Sequence, residues 1–256
     1  HGVVTAYIES TKGDTKQKLL KPSVLALCNE MEKGIFKYQI GKKTSVKILG
    51  DTRYDYKWIK NLEKNASKMN LIEKPDDKFI ILIIDRSFHN SFNPEKARSI
   101  VHDDIKKLLE DFSDLELWYK AHPRYPGATR TVKNKRVKVF YNNVDTNHLL
   151  RHADIVISFT SGILFQHIIN LKKVIYCDAW LKFCDKGSFT VFDDSICVYK
   201  ASNYQELKNG VIKLRSDDTL LEEDVSSFYK RVISGGKGLN ESIVDSYLDE
   251  IKLISL

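Results

Sequence analysis

The residues able to do chemistry gather where apolar runs end. The most informative stretch is Asp154-Ile-Val-Ile-Ser-Phe-Thr-Ser-Gly162, followed at once by Ile163-Leu-Phe-Gln-His-Ile-Ile169. A buried strand here closes in small hydroxyl residues and a glycine, and a helix begins directly after it. The first helical N–H groups then lack internal partners at the positive end of the helix dipole. Ser158, Thr160 and Ser161 add hydroxyl donors, and Gly162 admits close backbone approach, so the stretch fits a phosphate cradle. The plain alternative is an ordinary strand–helix connection with Ser161 as its N-cap.

A second stretch, Leu115-Glu-Leu-Trp-Tyr-Lys-Ala-His-Pro-Arg124, runs out at His122-Pro123. The proline biases His122 to an extended conformation, at a strand's C-terminal end beside Lys120 and Arg124. A histidine so placed can hydrogen-bond a diphosphate or protonate a departing phosphate oxygen, although a lone histidine is more often structural. Third, Phe79–Ile84 closes in Asp85-Arg86-Ser87. Arg86 offers a phosphate two donors; the competing reading is a surface arginine. Fourth, Gly50-Asp51-Thr52-Arg53-Tyr54-Asp55 follows the strand candidate Ser45–Leu49. It is either a turn capped by Asp51 or a loop lining a cleft between two domains. His1-Gly2 opens the chain, and spacing alone gives it no weight.

These residues need a scaffold that brings strand ends to one edge. From Phe79 onward, short apolar runs alternate with helix-period segments. Strands are expected at Phe79–Ile84, Leu115–Lys120, Val137–Tyr141, Asp154–Phe159, Lys173–Cys177 and Ser195–Tyr199. Helices are expected at Pro94–Phe112 with Asn93 as cap, Thr146–His152, Gly162–Leu171 and Asn203–Leu214. This alternation predicts an α/β fold, a Rossmann-like doubly wound parallel sheet whose strand C-termini share one ligand-binding edge. Residues 1–75 carry less pattern. They hold one helical segment, Tyr56–Met69, and end at the turn-like Lys74-Pro75-Asp76-Asp77. They read as an inter-domain segment or remnant of another domain, with residues 76–256 as the nucleotide-binding domain. Two helix-period stretches beyond Thr219 are separated by Ser234-Gly235-Gly236-Lys237-Gly238.

Composition supports a globular chain: 42% hydrophobic and 11% aromatic residues among 256 supply a sizeable core and argue against disorder. The chain starts at His1 without a methionine, and its natural N-terminus is expected elsewhere. The longest apolar run is strand-sized, far short of the ~18–20 residues that span a bilayer, and no signal-peptide pattern occurs. Cys28, Cys177, Cys184 and Cys197 show no metal or disulfide spacing and read as reduced, mostly buried thiols. No metal motif stands out; Asp76-Asp77, Asp103-Asp104 and Asp193-Asp194 read as helix caps or turns. A net charge of +7 points to anionic partners. From Leu117 to Val144 there is no acidic residue, while Lys120, Arg124, Arg130, Lys133, Lys135, Arg136 and Lys138 all occur. That run is either a solvated basic loop or an anion-binding surface.

Taken in order, the His-Gly, Gly-Asp-x-Arg-Tyr-Asp, His-Pro and Asp-Ile-Val-Ile-Ser-x-Thr-Ser-Gly stretches resemble the C-terminal half of GT-B-type bacterial CDP-glycerol glycerophosphotransferases and capsule polysaccharide transferases. Their relatives include sialyl- and Kdo-transferases that use CMP-sugars. The resemblance covers roughly residues 1–180. It implies that His122 contacts the donor phosphate as acid to the leaving nucleotide, and that His1 corresponds to a general base on the acceptor hydroxyl. It implies that Thr160 and Ser161 hold the phosphates, that Arg53 and Asp55 line the cleft, and that Arg86 sits in a loop usually reading Thr/Ser-x-Arg. Here that loop reads Asp85-Arg86-Ser87, and Phe165 is followed by Gln166 rather than an acidic residue. Both depart from the polyol-transferase pattern.

The expected function is therefore metal-independent transfer of a glycosyl or polyol-phosphate group. The donor is nucleotide-activated (CDP- or CMP-linked), and the acceptor is an anionic or lipid-linked surface polysaccharide or teichoic-acid-like polymer. Such a protein would work in the cytoplasm or at the inner face of the cytoplasmic membrane, with peripheral membrane contact and no nucleic-acid partner. Two alternatives stand beside it. One is a UDP-sugar transferase or UDP-sugar 2-epimerase on the same scaffold. The other is a non-catalytic module binding anionic polymer or RNA through the basic run, whose Trp118, Tyr119, Tyr125, Phe140 and Tyr141 mix stacking with charge. Trp118 and Phe140 lie on strand positions and are more simply core.

Overall fold

The computed structural model describes residues 23–37, 40–68, 72–85, 93–122, 133–141, 144–159, 161–182, 190–192, 195–216 and 222–254. The expected α/β architecture is present. Six strands form one parallel sheet: β3 (Phe79–Ile84), β4 (Leu115–Lys120), β5 (Val137–Phe140), β6 (Ile155–Ser158), β7 (Lys173–Cys177) and β8 (Val198–Ala201). Their order is β5-β4-β3-β6-β7-β8, and every neighbouring pair runs parallel. Strands β3, β4 and β6 are almost wholly buried, as continuous Ile/Leu/Val-rich runs covered on both faces must be.

Strand periodicity divides the core in two. Ile80, Leu82, Trp118 and Val156 pack with Leu149 and Leu150 of helix α4 (Thr146–His152). Ile81, Ile83, Leu117 and Tyr119 belong to the larger cluster with Ala97, Val101, Ile105 and Leu108 of α3 (Pro94–Asp111). Side chains close the starts of both helices, Asn93 as the sequence suggests and Asp145 in addition. Asn93 accepts from Lys96 N at 3.1 Å with Pro94 in the first turn, and Asp145 accepts from Asn147 N at 2.8 Å. Helix α5 (Ile163–Ile169) joins β6 to β7, and α6 (Tyr204–Ser216) follows β8.

Before the large sheet, β1 (Val24–Leu27) and β2 (Ser45–Ile48) make a separate parallel pair, with the single-turn α1 (Glu32–Ile35) between them. Helix α2 (Tyr56–Ala66) follows. The C-terminal segment, α7 (Glu222–Phe228), a π turn over Tyr229–Ile233 and α8 (Ile243–Ile254), returns to this region. Asn29 Nδ2 donates to Val232 O at 2.7 Å, and Asp51 N donates to Ile233 O at 2.9 Å. Gly50 has a φ of +91°, and a Cβ there would lie 2.8 Å from the carbonyl carbon of Ser234, so both backbone and space require glycine. The Tyr247 hydroxyl closes the junction by donating to Gly50 O at 2.9 Å.

Three local expectations are corrected. The last strand begins at Val198 rather than Ser195, because Cys197 N turns back onto Ser195 Oγ at 3.2 Å. Helix α5 is capped by Gly162 without a side-chain bond, not by Ser161. Asp103 and Asp104 lie inside α3 rather than at a cap or turn. Asp104 is buried and accepts from Trp180 Nε1 at 2.9 Å, and that burial raises its pKa. Asp193 and Asp194 lie outside the described residues, as does Cys184; Cys28, Cys177 and Cys197 are free thiols, the last two buried.

Candidate functional site

Strands β3, β4 and β6 end level with one another, because Ile84 pairs with both Lys120 and Ser158. From β3 the chain builds outward through β4 to β5, then crosses to β6 on the other side and builds through β7 to β8. The gap between the ends of β3 and β6 is thus the point where winding reverses. There the connections leave in opposite directions and open a crevice at the strand C-termini. Asp85, His122 and the Ser161-Gly162 turn lie on this one edge.

The residues at this edge divide into those left partly exposed and those engaged beneath it. Ser161 and Gly162 are partly exposed, as is His122, two residues past β4. Ser158 corrects the expectation of a hydroxyl offered to phosphate: it is fully buried, and its Oγ donates to Ile84 O at 3.2 Å. Lys120 is also buried. Its ammonium donates to Tyr141 O at 2.5 Å, and desolvation lowers its pKa, so it ties β4 to the residue after β5 rather than standing free for an anion. His1, Arg86, Arg124 and Thr160 lie outside the described residues.

The Gly50–Asp55 motif is the turn capped by Asp51 that its composition suggested. Asp51 accepts from Arg53 N at 3.0 Å and pairs with the Arg53 guanidinium at 2.5 Å. The Arg53 side chain remains about half exposed, while Asp51 is buried. Asp55, expected to line the cleft, is instead buried at 3% exposure between two helix starts. Its carboxylate accepts from Lys57 N and Trp58 N of α2 and from Ile243 N of α8.

Residues not assigned a site role from the sequence also converge here. The Tyr54 hydroxyl donates to Gly162 O at 2.7 Å. Asp85 is buried under the edge beside the Tyr119 hydroxyl; burial first, and the Asp85 carboxylate second, push that tyrosine's pKa well up. At the starts of α4 and α5, Gln166 Nε2 donates to Asn147 Oδ1. The available signal was position, since Asp85, Tyr119, Asn147 and Gln166 lie within a few residues of the ends of β3, β4, α4 and α5.

The basic run is partly accounted for internally. Arg136 donates to Phe112 O at 2.6 Å and also to Leu109 O, closing the end of α3. Lys138 pairs with Glu116 at 2.8 Å and lies over the Trp118 ring. Trp118 is fully buried against Phe140, with ring centroids 5.3 Å apart. Among the described residues, no group of three or more His, Cys, Asp or Glu side chains is placed to hold a metal ion, and no helix is long and apolar enough to cross a membrane.

A six-stranded parallel sheet in this order, flanked by helices, defines a Rossmann-like doubly wound domain. Solved structures agree. The chain is similar to UDP-GlcNAc 2-epimerase from Methanocaldococcus jannaschii, with a TM-score of 0.62 and 15% identity over 91% of this chain and 61% of that one. It is similar to a glycosyltransferase from Rickettsia africae (TM-score 0.54, 20% identity, 90% and 62% coverage) and to the wall teichoic acid polymerase TagF (0.51, 16%, 91% and 59%). At these identities the likeness establishes the fold. The chain spans about three fifths of the length of each of these structures. No protein-family model and no curated protein matches the sequence.

Proposed function

We propose that the chain is the donor-nucleotide half of a GT-B-type transferase. It would move a glycosyl or polyol-phosphate group from a CDP- or CMP-linked donor to a surface polysaccharide or teichoic-acid-like acceptor. The observation that carries this reading is the reversal of winding between the ends of β3 and β6, with the Ser161-Gly162 turn following β6 and His122 two residues past β4. A nucleotide's phosphates are the ligand chemistry that backbone donors at such a winding reversal take. His122 would then stand where an imidazolium can protonate the leaving phosphate oxygen. Thr160, Arg86, Arg124 and Arg53 would supply further donors, and His1 would act as base toward the acceptor. Charge developing on the departing phosphate would be met by fixed dipoles and side-chain cations, so the reaction would need no metal. An inner-membrane-face location would suit a lipid-linked acceptor and the chain's positive charge.

Fold likeness to UDP-GlcNAc 2-epimerases supports one second reading, a UDP-sugar transferase or UDP-sugar 2-epimerase on the same scaffold. The structural account of Arg136, Lys138 and Trp118 weakens the alternative of a stacking and phosphate-binding face for RNA. Calorimetric titration with CMP, CDP, UMP, UDP and GDP separates these readings. The proposal expects cytidine nucleotides to bind best, with affinity falling about tenfold or more in His122→Ala as a charge-assisted contact is lost. Uridine selectivity would establish the second reading instead. Where turnover is observed, a chelator is expected to leave it unchanged.

A further inference from the structure

Two stretches that the sequence keeps 108 residues apart meet at the mouth of the crevice, where the Tyr54 hydroxyl donates to Gly162 O. The tyrosine is held by its own surroundings. Its ring packs on Phe165 with centroids 5.5 Å apart, and the Arg53 guanidinium lies 5.2 Å from its centroid. Burial raises its pKa to about 12, so the hydroxyl stays protonated and donates at any physiological pH.

The contact also explains why residue 162 is a glycine. Its φ of −62° and ψ of −18° are open to any residue, so backbone freedom is not the reason. Space is: a Cβ at position 162 would lie 2.6 Å from the Tyr54 hydroxyl oxygen. Glycine at 162 and tyrosine at 54 are therefore one fitted pair.

The position of Tyr54 is set independently of the turn it touches. On one side, Gly50 is pressed against Ser234 and Asp51 N is bonded to Ile233 O. On the other, Asp55 joins the starts of α2 and α8. The C-terminal segment thus fixes the loop, and the loop holds the Gly162 carbonyl. The Gly162–Ile163 peptide is planar and trans, so fixing its oxygen also fixes the direction of the Ile163 N–H.

Resting on the nucleotide reading of the crevice, we propose that Tyr54 is a positioning residue for it. Through the Gly162 carbonyl, its hydroxyl sets the orientation of the Ser161-Gly162 turn at the reversal point, and Tyr54 itself touches no ligand.

The test is a double-mutant cycle on Tyr54→Phe and Gly162→Ala, read by CDP and UDP titration, melting temperature, and amide hydrogen exchange of residues 161–165 without nucleotide. Tyr54→Phe keeps the ring and removes only the donor. It is expected to keep the melting temperature within ~2 °C while weakening nucleotide binding about fivefold and speeding exchange at 161–165. Gly162→Ala is expected to weaken binding about tenfold in the wild-type background. In the Tyr54→Phe background the loss should be much smaller, because the hydroxyl that the new methyl would meet is gone. An additive cycle, or a Tyr54→Phe variant with unchanged affinity and unchanged exchange, would overturn the proposal. If the wild-type chain binds neither nucleotide, the functional reading of the crevice fails separately. Exchange then decides the positioning claim: faster at 161–165 supports it, unchanged overturns it.

Discussion

Asp55 Oδ2 lies 2.8 Å from the backbone nitrogen of Ile243, while Oδ1 of the same carboxylate accepts from Lys57 N at 3.0 Å. One side chain thus caps two helices, the second beginning 188 residues after Asp55 in sequence. Helix starts carry unpaired N–H groups and a positive dipole end, and a carboxylate with two oxygens satisfies both. Asp55→Ala is expected to destabilise the chain by about 2–3 kcal/mol, the sum of two N-cap losses. Asp55→Asn, which keeps one acceptor, should recover part of that. Urea unfolding of both variants measures it; a loss under about 0.5 kcal/mol for the alanine variant, the low end of a single cap, would remove Asp55 from the junction's structural account.

His167 sits fully buried in α5, and among the described residues neither ring nitrogen has a hydrogen-bond partner. Burial first, then the Lys172 charge, lowers its pKa from 6.5 to about 3. A folded-state pKa below the unfolded one means that the unfolded chain binds the extra proton. The stability from neutral His167 is therefore complete above about pH 6.5 and drains away as pH falls from there toward 3, with a slope approaching ~1.4 kcal/mol per unit. Burial depresses His152 as well, which adds in the same direction. Chemical unfolding between about pH 7.5 and 5 should show stability falling with acid, and His167→Leu should flatten that fall without loss at the upper end. A slope identical in wild type and variant would rule the histidine out as its source.

Arg136 belongs to the basic run yet closes the end of α3 through Phe112 O and Leu109 O. Arg136→Ala is expected to destabilise by about 1.5–3 kcal/mol, as the loss of charged hydrogen bonds to a helix end does. It should leave the salt dependence of any polyanion binding unchanged. A reduced salt slope with intact stability would return Arg136 to a binding surface.

The large sheet was legible because its strands are short, apolar and separated by strongly periodic helices. Phe79–Ile84, Leu115–Lys120 and Lys173–Cys177 have the bounds the sequence suggests. Strand β1 was not, since Val24–Leu27 is four residues with no clean alternation of buried and exposed positions. The shared edge of Ser161, Gly162 and His122 followed from parallel winding. The roles of Asp55, Ser158 and Tyr54 did not, because each depends on a partner that no spacing rule marks: Ile243, Ile84 and Gly162. Polar residues at strand ends look alike in sequence whether they face a ligand or cap the element behind them.

The central claim is that the reversal point between β3 and β6 takes a nucleotide's phosphates, and a crystal structure with bound CDP tests it most directly. Phosphate oxygens are expected within hydrogen-bond distance of the backbone at 161–163, with His122 at the same edge. CDP bound at the opposite edge of the sheet, or along α8, with the 161–163 turn untouched, would contradict it.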